Sequence, residues 1–153
     1  MTASKHHPAT LALQSLFTLA NETEREIARG MGLNLTDFRA LSALEISGQV
    51  TVGQLAEQLG TTPATTTAIV SRLESRGYVA RQRSTKDRRR VHVRPTPASF
   101  TAITGLMQPL MTASNEHLRL LPAANQTVIA DFLHVAQGMM RHHLHALSEK
   151  DAR

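Results

Sequence analysis

The chain has 153 residues, of which 41% are hydrophobic, and a formal net charge of +5 at pH 7. This size allows a single domain with its own core, and the absence of cysteine excludes disulfides, thiolate metal ligands and a cysteine redox switch. No run of 18 apolar residues predicts a membrane span, and the polar N-terminus is unlike a secretory leader. We therefore expect a cytoplasmic, single-domain protein over residues 1–153 with no membrane partner.

Two helices are predicted at the start of the chain. From Leu11 to Arg29 there is no proline or glycine, and apolar residues recur at three- and four-residue spacing, as on one face of a helix. Gly30 is suited to end that helix. Asn34 can cap a second helix, which runs to about Ile46 and is followed by a short strand at Val50.

A pair of short helices follows in close succession. Thr51 and Gln54 have the spacing of a capping box, in which each side chain bonds the backbone N–H of the other, and Gly60 is suited to end the helix that they start. Thr62 can cap a further helix, and Pro63 takes its first position, where the missing amide costs nothing. The two helices are separated by hardly more than a turn.

The fourth helix has two different faces, and Gly77 stops it. Helical spacing assigns an inner face to Thr66, Ile69, Val70 and Leu73. The outward face carries small and hydroxyl-bearing residues with one arginine: Ala64, Thr65, Thr67, Ala68, Ser71 and Arg72. Such a face can lie close against another surface.

A β-hairpin with a basic tip is predicted next. Tyr78 and Val79 begin an extended segment, and Val91 to Arg94 alternates as a strand does, which leaves residues 82–90 as the connection. Seven lysine or arginine side chains and a single aspartate lie between Arg81 and Arg94, so this stretch carries more net positive charge than the whole chain. A charge excess confined to one short stretch indicates a surface that faces a polyanion.

The remainder of the chain is predicted to be helical. Thr96 and Pro97 suit the cap and first position of a fifth helix, which extends to about Leu120 with a kink at Pro109, and Pro122 starts a sixth. The sixth helix carries a broad apolar stripe of Val128, Ile129, Phe132, Leu133, Ala136, Met139, Met140 and Leu144. Because the helices in residues 9–30 and 97–147 have no obvious core of their own, we expect them to pair with a second copy of the chain.

This order predicts a mainly α fold with a small β-hairpin, a winged helix-turn-helix over about residues 33–96 flanked by dimerisation helices. The second helix of the pair fits the major groove of double-stranded DNA, and the hairpin, or wing, reaches the adjacent minor groove. The candidate DNA contacts in the recognition helix are Thr62, Ala64, Thr65, Thr67, Ala68, Ser71 and Arg72. Those in the wing are Arg83, Lys86, Asp87, Arg88, Arg89 and Arg90.

Three segments of the sequence resemble the MarR-type (multiple antibiotic resistance) transcription regulators. They are Leu55-Ala56-Glu57-Gln58-Leu59-Gly60, the stretch Ile69-Val70-Ser71-Arg72-Leu73-Glu74-Ser75-Arg76-Gly77-Tyr78-Val79, and Arg81 followed by Asp87-Arg88-Arg89. The resemblance is collinear from Leu33 to about Thr96. It implies a sequence-specific repressor that acts as a homodimer on a near-palindromic promoter site.

Two further expectations come from the resemblance alone. Asp87 would orient Arg89 toward the minor groove, and a small aromatic or phenolic effector would bind in a pocket bounded by the first, second and fifth helices and release the DNA. The chain departs from the family where the wing closes, since Pro95-Thr96-Pro97-Ala98-Ser99 replaces the usual Leu-Thr-x-x-Gly. The fifth helix is therefore expected to start at a different angle.

Other functions are weaker interpretations of the same residues. No Gly-x-Ser-x-Gly, phosphate-binding loop, dinucleotide motif or cysteine nucleophile is present, so we expect no enzyme activity and no cofactor. A winged helix that binds an acidic protein partner stays open as an alternative. So does a metal-responsive regulator that uses histidines near the C-terminus, although no metal-ligand spacing is assigned.

Overall fold

The computed structural model describes residues 6–83 and 91–151. These residues form mostly helices, with three short strands. In chain order the elements are α1 (Pro8–Gly30), α2 (Leu35–Ser47), β1 (Val50–Thr51), α3 (Val52–Leu59), α4 (Pro63–Ser75), β2 (Val79–Arg83), β3 (Val91–Pro95), α5 (Pro97–Arg119) and α6 (Ala123–Asp151). Every predicted helix is present, and the predicted class of a mainly α fold with a small β unit is confirmed.

The helix starts follow the predicted capping side chains. Asn34 accepts a hydrogen bond from the backbone N of Asp37 at 2.8 Å. Thr51 and Gln54 form both bonds of the capping box, and Gly60 ends α3 in the left-handed conformation at φ 61°. These contacts lie within four residues of one another, which is why local sequence was enough to predict them.

The three strands form one antiparallel sheet in the order β1-β3-β2. Val93 in the central strand lies opposite Val50 on one side and Arg81 on the other. Pro95 was expected to close the wing, and it is instead the last residue of β3, opposite Val79. A proline is tolerated there because it ends the ladder, where a missing N–H matters least.

The core lies beneath α4 and the sheet. Leu41 and Leu44 of α2, Leu55 of α3 and Val93 of β3 are fully buried. The four residues predicted for the inner face of α4 are buried as well, namely Thr66, Ile69, Val70 and Leu73. Burial of this face holds α4 firmly and leaves the opposite face exposed.

The start of α5 is joined to the turn before β2. The Thr96 hydroxyl donates to the Gly77 carbonyl at 2.6 Å, a contact that the sequence did not predict. The buried Ser99 hydroxyl lies within hydrogen-bonding distance of the Thr96 carbonyl, at 2.7 Å, and of the Glu45 carboxylate of α2. Pro97 is the first residue of α5, as predicted, and the helix continues through Pro109.

The chain packs as two compact units, residues 1–107 and 108–153. The second unit contains the end of α5 and the whole of α6, and in its described part Ala136 is the one buried hydrophobic residue. The exposed large apolar side chains of α6 are Val128, Phe132, Leu133, Val135, Met139, Met140, Leu144 and Leu147. In the described residues, none of the helices has both the length and the apolar character needed to cross a membrane.

Candidate nucleic-acid interface

The outward face of α4 is the centre of the candidate interface. Thr62 caps the helix by accepting a hydrogen bond from the backbone N of Thr65 at 3.1 Å, and Pro63 takes the first position, as predicted. All six residues predicted for the outward face are exposed: Ala64, Thr65, Thr67, Ala68, Ser71 and Arg72. The structure thus brings the predicted recognition-helix residues onto one accessible surface.

The hydroxyl groups of this face donate to the helix that carries them. The Thr67 hydroxyl donates to the Pro63 carbonyl at 2.8 Å, and the Ser71 hydroxyl donates to the Thr67 carbonyl at 3.0 Å. A hydroxyl has one hydrogen, so what each can still offer outward is acceptor capacity, and threonine adds a methyl group. The face can therefore accept hydrogen bonds from a partner and make apolar contacts with methyl groups of that partner.

Arg72 stands apart from its small neighbours on α4, because it is held by a carboxylate of another helix. Its Nε donates to Asp37 of α2 at 2.8 Å and its Nη2 donates to the second oxygen at 2.7 Å. These hydrogen bonds raise the pKa of Arg72 above its ordinary value. The guanidinium is therefore charged at every pH at which DNA binding is measured, and Arg72 does not move freely in solvent.

Arg81 joins the base of the wing to the recognition helix. Its guanidinium pairs with Glu74 and donates to the Ser71 hydroxyl oxygen at 2.8 Å. It also reaches the Thr67 carbonyl at 3.5 Å. The strand β2 is thereby tied along two turns of α4, and Ser71 contacts the wing in addition to lining the outward face.

The wing itself is described only at its base. Arg83, a predicted contact, is the exposed last residue of β2, and Arg94 is exposed on β3. The other predicted contacts lie in residues 84–90, outside the described residues: Lys86, Asp87, Arg88, Arg89 and Arg90. The predicted pairing of Asp87 with Arg89 lies there as well.

Two residues of the site were not found by sequence reasoning. Asp37 lies in the first turn of α2, and its side chain is 4% exposed and faces Arg72. Glu74 belongs to the family motif, but its pairing with Arg81 was not expected. Each pair joins two different elements of the fold, so the residue spacing within a single helix or strand did not identify the partners.

The histidines form no metal site among residues 6–83 and 91–151. No group of three or more histidine, aspartate or glutamate side chains in that part of the chain lies close enough to hold a metal ion. Near the C-terminus, Nδ1 of His145 lies 3.5 Å from the Glu149 carboxylate.

A cavity of about 340 Å³ lies between α1 and α5. The expected effector pocket was bounded by the first, second and fifth helices, and this cavity has residues of the first and fifth. Its lining combines apolar side chains with two carboxylates and a threonine of α1. The lining residues are Leu19, Glu22, Thr23, Glu26, Ile27 and Leu106.

The chain is similar to known transcriptional regulators in sequence. The MarR family model matches residues 31–90. The chain is 34% identical over 122 residues to the HTH-type transcriptional regulator YcgE of Bacillus subtilis, which covers 80% of this chain and 79% of that protein. It is 32% identical over 79 residues to the HTH-type transcriptional repressor MdtR of Bacillus subtilis, which covers 52% of this chain and 51% of MdtR.

Solved structures share its fold. The transcriptional regulator Tm0710 of Thermotoga maritima superposes with a TM-score of 0.68 at 23% identity, over 90% of this chain and 96% of that one. A variant of MepR from S. aureus, solved bound to an oligodeoxyribonucleotide, superposes with a TM-score of 0.61 at 13% identity, over 88% and 99% of the two chains. The chain belongs to the MarR family of transcriptional regulators, and its helices α3 and α4 with strands β2 and β3 are the DNA-binding winged helix of that family.

Proposed function

We propose that this protein is a sequence-specific repressor that binds a near-palindromic promoter site as a homodimer in the cytoplasm. The observation that carries the proposal is the exposed small-residue face of α4, which is held by four buried residues on its opposite side and is bonded to the base of the wing through Arg81. A rigid helix with a low-profile face can approach base edges closely in the major groove.

In this proposal the recognition helix reads bases and the wing supplies affinity. The threonine methyl groups contact thymine methyl groups, and the hydroxyl oxygens accept from adenine or cytosine amino groups. The proposed contacts in α4 are Thr62, Ala64, Thr65, Thr67, Ala68, Ser71 and Arg72. Those in the wing are Arg83, Lys86, Asp87, Arg88, Arg89 and Arg90, with Asp87 orienting Arg89 toward the minor groove.

The homodimer is proposed to form through the terminal helices. Residues 9–30 and 97–147 are assigned to dimerisation and about 33–96 to DNA binding, within one domain of residues 1–153. Apolar side chains that stay exposed on α1 and α6, such as Leu16, Leu19 and Val135, support this assignment because burial removes them from water. Two-fold symmetry then places the half-site centres about 10 bp apart.

Repression is proposed because a dimer that covers promoter DNA competes with the transcription machinery. MdtR, which matches half of this chain, is named as a transcriptional repressor. A reporter gene behind the selected binding site tests the sign: expression should fall when the protein is supplied, and a rise would identify an activator.

Selection of bound sequences from random double-stranded DNA tests the proposed function. We expect one enriched motif with two-fold symmetry. Binding of the selected duplex should then weaken with salt, with a slope of log K against log[salt] on the order of −5 to −9 if each subunit neutralises roughly three to five phosphates. No enriched motif together with a slope near zero would refute DNA recognition and favour a protein-binding winged helix.

We also propose a small aromatic or phenolic effector, supported by the cavity between α1 and α5. A structure of NadR, which shares this fold, was solved in complex with 4-hydroxyphenylacetate. A ligand that prefers a dimer with wrongly spaced recognition helices would release DNA. Titration of the protein–DNA complex with 4-hydroxyphenylacetate and with simple phenols tests this, and unchanged binding at saturating ligand would contradict it.

A further inference from the structure

The pair formed by Asp37 and Arg72 joins two helices across the DNA-binding unit. Asp37 follows the cap of α2, and the Asn34 side chain accepts a hydrogen bond from its backbone N at 2.8 Å. Arg72 lies in the last turn of α4, and both oxygens of the Asp37 carboxylate accept from it at 2.7 and 2.8 Å. A bidentate pair of this kind fixes the plane of the guanidinium as well as its position.

The two side chains differ sharply in exposure. The Asp37 side chain is 4% exposed, whereas the Arg72 side chain is 50% exposed. The carboxylate is therefore inside the protein, whereas half of the arginine side chain is exposed to solvent. Arg72 follows Thr65 by seven residues and Ala68 by four, so the three residues share one face of α4. A half-exposed guanidinium side chain is thus held by a buried carboxylate.

The N–H groups of Arg72 that Asp37 does not bind are suited to recognise guanine. Of the five N–H donors of a guanidinium, Asp37 takes one from Nε and one from Nη2. In the described part of the chain Nη1 makes no hydrogen bond, so the outer edge, Nη1 with the second hydrogen of Nη2, is available. Two parallel donors at this spacing match O6 and N7 of guanine in the major groove.

The charge of the pair argues for base recognition rather than for general attraction. Asp37 neutralises Arg72, so the pair adds no net positive charge to the DNA-facing surface. A phosphate contact would benefit most from an arginine that has no acidic partner. The pair still presents two hydrogen-bond donors, on Nη1 and Nη2 of Arg72, in a fixed orientation.

We propose that Asp37 is a positioning residue for DNA recognition, which acts from α2 through Arg72 to read one guanine in each half-site. This inference rests on the proposed function. Asp37 does not touch the DNA, and its contribution is the orientation of the outer edge of Arg72. Arg72, oriented in this way, is a long side chain that can contact a base on a helix face otherwise made of small residues.

The test compares Asp37→Asn with the wild type on the selected duplex, on the same duplex with each G·C pair changed in turn, and on random DNA. The introduced amide keeps the shape of the carboxylate but offers one acceptor oxygen and no charge. We expect the preference for one guanine per half-site to fall about tenfold. Affinity for random DNA should be kept or increased, because Arg72 is no longer neutralised.

A matched control removes a carboxylate from another interhelical pair. Glu24→Gln in α1 removes the charge from the carboxylate that accepts from Arg39 at 2.9 and 3.1 Å, and it changes the net charge by the same amount. We expect Glu24→Gln to leave the guanine preference unchanged. An equal change in both variants would show that charge, and not the position of Arg72, is responsible, and it would overturn the inference.

A second variant decides the case if Asp37→Asn does not fold, as judged by circular dichroism. Arg72→Lys keeps a cation opposite Asp37 but cannot bond the carboxylate with two nitrogens and present a donor edge at once. It should relax the same guanine position by about tenfold. When Asp37→Asn does fold, adding it to Arg72→Lys should change the guanine preference no further.

The outcomes separate the inference from the proposed function. If the wild type enriches no motif, the proposed function fails and the inference fails with it. If a motif is enriched but no G·C position responds to Arg72→Lys, only the inference fails. Equal loss of affinity for cognate and random DNA in Asp37→Asn would mean that the pair serves the fold alone.

Discussion

At the scale of single residues, the core holds three buried polar side chains in the described part of the chain: Asp37, Thr66 and Ser99. Asp37 binds Arg72, and the Ser99 hydroxyl lies beside the Thr96 carbonyl and the Glu45 carboxylate. The Thr66 hydroxyl has no hydrogen-bond partner among the described residues, although Thr66 is fully buried. A buried hydroxyl without a partner destabilises the folded state.

Thr66→Val should therefore stabilise the protein. Valine has nearly the same shape and no hydroxyl, so we expect the free energy of unfolding to rise by about 1 kcal/mol. Chemical denaturation at one fixed protein concentration measures it, because the stability of the proposed dimer would depend on concentration. The control is Thr67→Val on the exposed face, which should change the stability by less than about 0.5 kcal/mol. Destabilisation by Thr66→Val would show that its hydroxyl has a partner after all.

At the scale of elements, the recognition helix depends on its cap. Thr62 accepts from the backbone N of Thr65 and shares a hydrogen bond of 2.9 Å with the Thr65 hydroxyl. Thr62→Ala should lower the free energy of unfolding by about 1 kcal/mol, whereas Thr62→Ser keeps the capping oxygen and should cost only a few tenths. Denaturation of both variants measures the difference, and equal losses would mean that the cap does not stabilise α4.

The link between the wing and α4 can be tested at Arg81. Partly exposed ion pairs of this kind contribute about 0.2–1 kcal/mol, so Arg81→Ala should weaken DNA binding by up to about fivefold by releasing β2 from Glu74 and Ser71. Arg94→Ala removes the same charge from the neighbouring strand without breaking a bond to α4. Titration of labelled duplex compares them, and an equal loss in both variants would reduce the role of Arg81 to its charge.

At the scale of the whole molecule, the exposed stripe of α6 predicts the oligomeric state. Val128, Phe132, Val135 and Met139 recur at spacings of four, three and four residues, so they share one face of the helix, and all are exposed. Single exposed apolar residues are ordinary, but a continuous stripe of them indicates a surface that binds a partner. A second copy is the partner that we propose.

Val135→Glu should disrupt this dimer. A carboxylate placed in an apolar interface without a partner costs roughly 3 kcal/mol or more, so the dimer dissociation constant should rise on the order of 100-fold. Thr127→Glu, on the polar side of the same helix with Asp131 and His134, adds the same charge and should leave the dimer intact. Sedimentation equilibrium distinguishes them, and an unchanged dimer with Val135→Glu would place the interface elsewhere.

The helices, their caps and the family could be predicted from the order of the amino acids alone. Caps such as Thr51, Gly60 and Thr62 act on backbone groups within four residues, and the burial of α4 follows its helical period. The outward face of α4 was predicted for the same reason. Local geometry decides these features, so local sequence patterns were sufficient to predict them.

Contacts between side chains that are far apart in the chain could not be predicted in this way. Asp37 and Arg72 are 35 residues apart, Thr96 and Gly77 are 19 apart, and β1 lies beside β3 rather than beside the strand next in sequence. No periodicity encodes such pairs, because they depend on how helices and strands pack around the core. From the sequence, the exposed face of the recognition helix was expected to carry small residues and one arginine, Arg72, without an assigned partner. The packing of α2 against α4 places Asp37 beside Arg72 and fixes the orientation of its guanidinium.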